Sequence, residues 1–132
     1  MVSGSRQAGA SSTSMAAPLF YTVGGTVTNF GTIASTYGTG IKFENGGTVV
    51  NDRNGLVQGA TNGVDFGPTS GGRVTNAGRI MGTSGFGVDL QGGGTVIDSG
   101  IISGGNGTAI AFGGSASNLL VLKSGYLLDG MP

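Results

Sequence analysis

A unit of about two dozen residues, written roughly four times, constrains this chain more than any other feature of its sequence. Each copy opens on glycines, continues with Val-x-Asn or Val-x-Asp, has a second apolar residue six to eight positions after the valine, and closes on an apolar-x-apolar triplet. The copies cover residues 24–45, 46–70, 71–92 and 93–115, and a degenerate copy starts at Ala116. A period of 22 to 25 residues indicates a repeat architecture.

The pattern inside each copy decides which architecture. Helical repeats are excluded because every copy carries several glycines and its closing apolar residues are two apart, which is the period of a strand. Leucine-rich repeats are excluded because their L-x-x-L-x-L run is missing. The sequence therefore predicts an all-β fold, a single-stranded parallel β-helix with four full coils and partial end coils. Each coil has three short strands, and equivalent strands stack at about 4.8 Å.

The repeats assign each apolar residue to a column that faces into the coil. We predict that the first column contains Val27, Val49, Val74, Val96 and Val121. The second column contains Ile33, Val57, Ile80, Ile102 and Leu127. The third strand contributes paired columns, which contain Ile41/Phe43, Val64/Phe66, Val88/Leu90 and Ile110/Phe112. Leu19 and Tyr21 precede the first copy at the offsets of an earlier third strand. Between the paired residues lies an outward column, which contains Lys42, Asp65, Asp89 and Ala111.

A polar column follows the first apolar column at a spacing of two residues. Asn29, Asn51 and Asn76 occupy it, Asp98 continues it and Lys123 is predicted to end it. Stacked amides both donate and accept along such a column, so we interpret it as a structural ladder.

Composition separates the repeat domain from its lead and excludes several functions. Residues 1–17 are rich in Ser, Gly and Ala without a period and are predicted to be a flexible lead, with the repeat domain at 18–132. Only 9% of residues are charged and the net charge is zero, so nothing favours a nucleic-acid or anionic-membrane partner. The sequence has no Cys, His or Trp and no apolar run long enough to span a membrane.

Asp65 and Asp89 are the only candidates for catalysis, and they are weak ones. Neighbouring positions of one outward column place their carboxylates about 5 Å apart, which is the separation of paired acids in glycoside hydrolysis. The alternative is two solvated acids, with Lys42 stacked on Asp65. The segment Gly85–Asp89 partly matches a calcium-binding nonapeptide, but that site needs tandem nine-residue copies. We expect no catalytic residues, no metal and no cofactor.

The segments GGTVTNFGTI, GGRVTNAGRI and GGTVIDSGII, and the closing SNLLVLKSGYLLDG, resemble the passenger domains of bacterial autotransporters and related adhesins. The resemblance covers roughly residues 19–130. It implies a right-handed β-helix, export to the bacterial cell surface or secretion, and often adhesion. This chain lacks the family's signal peptide and translocator barrel, so we expect it to be a piece of a passenger.

These observations favour a structural or adhesive surface element that is not an enzyme. Its expected partners are further copies of itself, through uncapped coil ends, and a host-surface or polysaccharide ligand. Two alternatives stay open, which are a subunit of a self-stacking extracellular fibre and a polysaccharide-acting β-helix enzyme that uses Asp65 and Asp89.

Overall fold

The chain folds into a parallel β-solenoid. The computed structural model describes residues 4–8, 19–21, 25–114 and 117–130, and within these ranges every regular element is a strand and none is a helix. All strand pairs are parallel, and equivalent strands of successive copies are hydrogen-bonded neighbours, which gives about four coils. The predicted fold class is confirmed, since stacking of coils is how each copy covers its apolar positions.

Three parallel sheets form the sides of the solenoid, and we name them in the order in which a coil visits them. Sheet I contains β1 (Gly4–Ala8), β3 (Gly25–Asn29), β6 (Gly47–Asn51), β9 (Gly72–Asn76), β12 (Gly94–Asp98) and β15 (Leu119–Leu122). Sheet II contains β4 (Thr32–Ser35), β7 (Leu56–Gly59), β10 (Arg79–Gly82), β13 (Ile101–Gly104) and β16 (Leu127–Gly130). Sheet III contains β2 (Leu19–Tyr21), β5 (Ile41–Phe43), β8 (Val64–Phe66), β11 (Val88–Leu90) and β14 (Ile110–Phe112).

The core is a set of apolar columns that run along the axis between the three sheets. The predicted inward residues of the inner coils have no exposed surface: Val27, Ile33, Ile41, Phe43, Val49, Val57, Val64, Phe66, Val74, Ile80, Val88, Leu90, Val96 and Ile102. Within a column, each apolar side chain lies next to the apolar side chain of the neighbouring coil. The rings of Phe43 and Phe66, for example, stack with their centroids 5.3 Å apart and their planes at 6°. The strand period of two alone therefore predicted this interior.

Glycine is required where a coil corner passes over a core ring. A Cβ atom on Gly72 would overlap the ring of Phe66, whereas a Cβ atom on Gly38 would meet no atom within 4 Å. The first glycine thus makes room for core packing, and the second lies in open space at a turn.

The last coil corrects three of the predicted columns. Val96 pairs with Leu120 and Ile97 pairs with Val121, so Val121 was wrongly placed in the first column and Leu120 occupies it. The prediction aligned valine with valine. In the shifted register of the structure, the Asn118 side chain accepts a hydrogen bond from the Gly94 amide at 3.1 Å. A shift of one residue exchanges the inner and outer faces of a strand.

The same shift affects the two following assignments. Ile102 pairs with Leu128, which packs against the core, while the predicted residue, Leu127, is 51% exposed. Asp98 pairs with Leu122, so the ladder position in the last coil is a leucine and Lys123 was wrongly placed there.

The N-terminal segment contributes two strands to the solenoid. Gly4–Ala8, within the stretch predicted as a flexible lead, pairs in register with Gly25–Asn29. The rest of residues 1–17 lies outside the described ranges. Leu19–Tyr21 pairs with Ile41–Phe43 in the predicted register, since Leu19 lies opposite Ile41.

Candidate functional site

The outer face of sheet III carries a row of three charged side chains. The middle residues of β5, β8 and β11 are Lys42, Asp65 and Asp89, and the strand register places them side by side as the sequence predicted. Ala111 of β14 follows next to Asp89. Because equivalent positions of stacked parallel strands lie side by side, the three charged residues form one row along the solenoid axis.

Asp65 is the centre of this row. Its Oδ2 atom lies 3.0 Å from the Lys42 ammonium, and its Oδ1 atom accepts a hydrogen bond of 3.0 Å from the Gln91 amide. The residue is only 6% exposed although it lies on the outer face. Both carboxylate oxygens are therefore engaged, and Asp65 acts as a brace that holds Lys42 and Gln91 in place.

Asp89 has a different environment. Burial is the main cause that raises its pKa, to about 6, the adjacent charge of Asp65 raises it further, and Lys42 lowers it. The row therefore contains one carboxyl group with a raised pKa, Asp89, beside a second carboxylate, Asp65, that Lys42 and Gln91 hold. For Asp65 to attack a substrate, however, it would first have to leave its two partners.

A groove next to this row was not predicted from the sequence. It has a volume of about 290 Å³ and is lined by Lys42, Glu44, Asn45, Gly67, Pro68, Thr69 and Gln91. Five residues connect β8 to β9, whereas three connect β5 to β6 and three connect β11 to β12. The two extra residues of the second copy build one wall of the groove. That extra length was the signal in the sequence, because insertions into a repeat map to loops that often bind ligands.

A second polar array lies inside the solenoid. Asn29 donates through Nδ2 to Oδ1 of Asn51, Asn51 donates in the same way to Asn76, and Asn76 donates to Asp98, each over 2.9 Å. The four side chains are at most 1% exposed. The amides also donate to main-chain carbonyls at the adjoining corner, as Asn51 does to Gly55 over 3.1 Å. Each rung thus joins two coils and closes a turn of the backbone.

Asp98 is the last rung. Its Oδ1 atom accepts from Asn76 and from the Gly100 amide at 3.0 Å, whereas Oδ2 is buried without a hydrogen-bond partner in the described part of the chain. Burial raises the pKa of Asp98, against the opposing effect of the Asn76 and Gly100 donors. The described residues thus contain one clearly unsatisfied buried oxygen, and it lies between the inner coils and the last coil.

Other candidate sites add little. The described ranges contain no cluster of three or more His, Cys, Asp or Glu residues that would hold a metal ion. They also contain no helix with the length and apolarity to cross a membrane. Among the described aromatic side chains, Tyr37 is 84% exposed and Phe30 is half-buried.

Comparisons of the chain with models of protein families, with curated proteins and with solved structures found no match.

Proposed function

We propose that this protein is a structural β-solenoid module that displays its outer faces at a bacterial cell surface, in the manner of the autotransporter passengers that its sequence resembles. The observation that carries the proposal is the continuous interior, in which the apolar columns and the ladder run through all inner coils in one register. Such an interior makes a stiff support with the same geometry in every coil.

The distribution of charged groups also supports a display role. Asp65 uses both of its carboxylate oxygens to hold Lys42 and Gln91, so this charged group is engaged within the solenoid. The exposed residues within the described range 25–114 are mainly Thr, Ser, Asn and Gly, which hydrate a surface with little charge.

Surface display is testable in the bacterium that encodes the chain. Antibodies raised against the folded protein should label intact cells, and external protease should remove that label. An antibody against a cytoplasmic enzyme, which should label only lysed cells, is the control. Labelling of the solenoid only after lysis would overturn the proposal.

A second candidate function, end-to-end self-association, is favoured by the surface of the last coil. Among the described residues, five of the six exposed large apolar side chains belong to this coil: Leu119, Leu120, Leu122, Tyr126 and Leu127, at 38% to 54% exposure. The strands β14, β15 and β16 are also sheet edges, which offer unpaired backbone donors and acceptors to another strand. Two copies that meet through this coil would bury both features at once.

Sedimentation measured over a wide range of protein concentrations tests this association. We expect reversible dimers, which Leu120→Ser combined with Leu122→Ser should abolish. The chain contains no cysteine, so Tyr126→Cys should give a disulfide-linked dimer on oxidation, whereas Tyr37→Cys, far along the axis, should not. A protein that stays monomeric at every concentration would contradict self-association.

A further inference from the structure

The groove on sheet III has a rigid floor. Lys42 and Gln91, which both line it, are fixed by the two oxygens of Asp65 at 3.0 Å each. Lys42 lies in β5 and Gln91 directly follows β11, and both strands are paired in register on both sides. The polar groups of the floor are thus held in position before any ligand arrives, which lowers the entropic cost of binding.

The wall of the groove is held as firmly. The Thr69 hydroxyl lies 3.1 Å from the Glu44 carbonyl and 2.8 Å from Asn45 Oδ1, so the inserted loop is tied to the preceding coil. Gly67 lets this loop approach, because a Cβ atom there would lie 2.6 Å from the Glu44 carbonyl oxygen. The Gly67 amide also donates to the Phe43 carbonyl over 2.7 Å. The loop is therefore a built element of the groove.

The chemistry of the lining restricts what fits. It combines one ammonium, one carboxylate, two carboxamides, one hydroxyl and the apolar ring of Pro68, so donors and acceptors are mixed and the side-chain charges of Lys42 and Glu44 cancel. An anion would meet the carboxylate of Glu44. An apolar ligand would displace water from the remaining donors and acceptors of Lys42, Gln91 and Glu44 without hydrogen-bonding to them, which is costly. A neutral ligand whose hydroxyls both donate and accept satisfies them all.

We propose that this groove binds one neutral sugar unit of a polysaccharide or glycan. The unit lies on Pro68 and exchanges hydrogen bonds with Gln91, Lys42 and Glu44. The volume of about 290 Å³ is at the lower end of the range for small-molecule sites, which fits a single ring whose neighbours extend along the exposed rim. The proposal adds a ligand to the surface role proposed above, but the binding experiment does not depend on cell localisation.

Amide NMR spectra of the whole chain, titrated with glucose, galactose and N-acetylglucosamine up to tens of millimolar, test the site. At least one sugar should shift the amides of Gly67, Thr69 and Gln91 and leave those of sheet II unchanged. Glucuronate, which carries a carboxylate, should bind more weakly than glucose. No shift with any sugar, shifts spread over all three sheets, or stronger binding of glucuronate would each overturn the proposal.

Matched variants separate recognition from folding. Gln91→Leu removes a proposed hydrogen bond to the sugar, and Thr69→Val releases the loop wall from Glu44 and Asn45. Each should raise the Kd of the best sugar about 3- to 10-fold. Gln58→Leu makes the same change on sheet II, where Gln58 lies opposite Met81, and should leave the Kd unaltered. Thermal unfolding should show that all three variants are folded. Equal Kd values for the Gln91→Leu and Gln58→Leu variants would refute the assignment, and surface labelling would be unaffected by that result.

Discussion

The inner coils and the last coil have similar sequences but very different interiors. Val27 and Val96 have no exposed surface, whereas Leu120, in the same column, is 38% exposed. The difference does not come from weaker apolar character, since the last coil has more leucine than any other. It comes from position, because an inner coil has a neighbour on each side and β15 lies at the edge of its sheet. Burial in a solenoid is therefore a property of the stack.

The largest effect is expected from a charge inside an inner coil. Val74→Asp places a carboxylate at a position without exposed surface, and an unpaired buried charge costs about 4 kcal/mol or more. Circular dichroism should show this variant unfolded. Leu120→Asp changes the same column in the last coil, and we expect it to fold with a lowered midpoint. Equal losses of stability in the two variants would show that the last coil is as closed as the others.

A smaller loss is expected from removal of a central rung. Asn51→Ala deletes the acceptor for Asn29 and the donor to Asn76, and it leaves the Gly55 carbonyl without its side-chain partner. Unsatisfied buried groups should cost about 2–4 kcal/mol in urea unfolding. In the last coil, Leu122→Asn places an amide opposite Asp98 and should instead raise stability. If Asn51→Ala costs less than 1 kcal/mol, roughly the net worth of one hydrogen bond, the ladder contributes little.

Corner glycines give the next effect. Gly72→Ala introduces a Cβ atom that overlaps the Phe66 ring, and overpacking of a core costs about 1–3 kcal/mol. Gly38→Ala adds the same atom in open space and should change stability by about 0.5 kcal/mol or less. The free energy of unfolding from urea titration measures both. A Gly72→Ala protein as stable as the Gly38→Ala protein would show that the corner relaxes freely.

The smallest effect concerns pH at the boundary of the two regions. Asp98 has a raised pKa and that of Asp89 is raised from 3.8 to about 6. When the pKa of an acid is higher in the folded state than in the unfolded state, its charged form destabilises the fold at pH values above the folded-state pKa. This loss of stability disappears as the pH falls toward the pKa of the unfolded state. The free energy of unfolding should therefore increase as the pH is lowered from 7 to 5. We expect a gain of about 1–2 kcal/mol, because the partial exposure of Asp89 to solvent limits the effect.

Two variants assign this pH effect. Asp98→Asn and Asp89→Asn should each reduce the gain, as measured by thermal unfolding at the two pH values. Glu44→Gln alters an exposed acid and should leave the gain intact. A wild-type protein that loses stability on acidification to pH 5 would contradict the expectation.

The sequence predicted the inner coils almost completely, because one period determines strand, column and face together. Val74, Ile80 and Leu90 are buried where their spacing placed them. The last coil was shifted by one residue because the prediction matched valine to valine, whereas the structure pairs Val96 with Leu120 and bonds the Gly94 amide to Asn118. A repeat pattern predicts the columns correctly only where each copy keeps the residues that form the turn before its strand.

The groove could not be predicted because it depends on side-chain contacts between neighbouring copies, and the repeat pattern of a single copy does not specify such contacts. Thr69 reaches back to Glu44, and Gln91 reaches back to Asp65 in the preceding coil. Asp65 was placed correctly on the outer face, but its burial follows from those neighbours rather than from its own strand. Extra length in the second copy was visible in the sequence, whereas the cavity it builds required the folded loop.

The ladder has a consequence for how this protein tolerates change in length. Its rungs are separated by 22, 25 and 22 residues along the chain, yet every rung-to-rung hydrogen bond is 2.9 Å. The three additional residues of the second coil are absorbed in its corners, and the next asparagine restores the alignment. The alignment of the ladder therefore depends on the number of coils and not on the number of residues in each coil. New loops inserted between rungs should be accommodated one coil at a time, so that surface features can be exchanged while the axis keeps its shape.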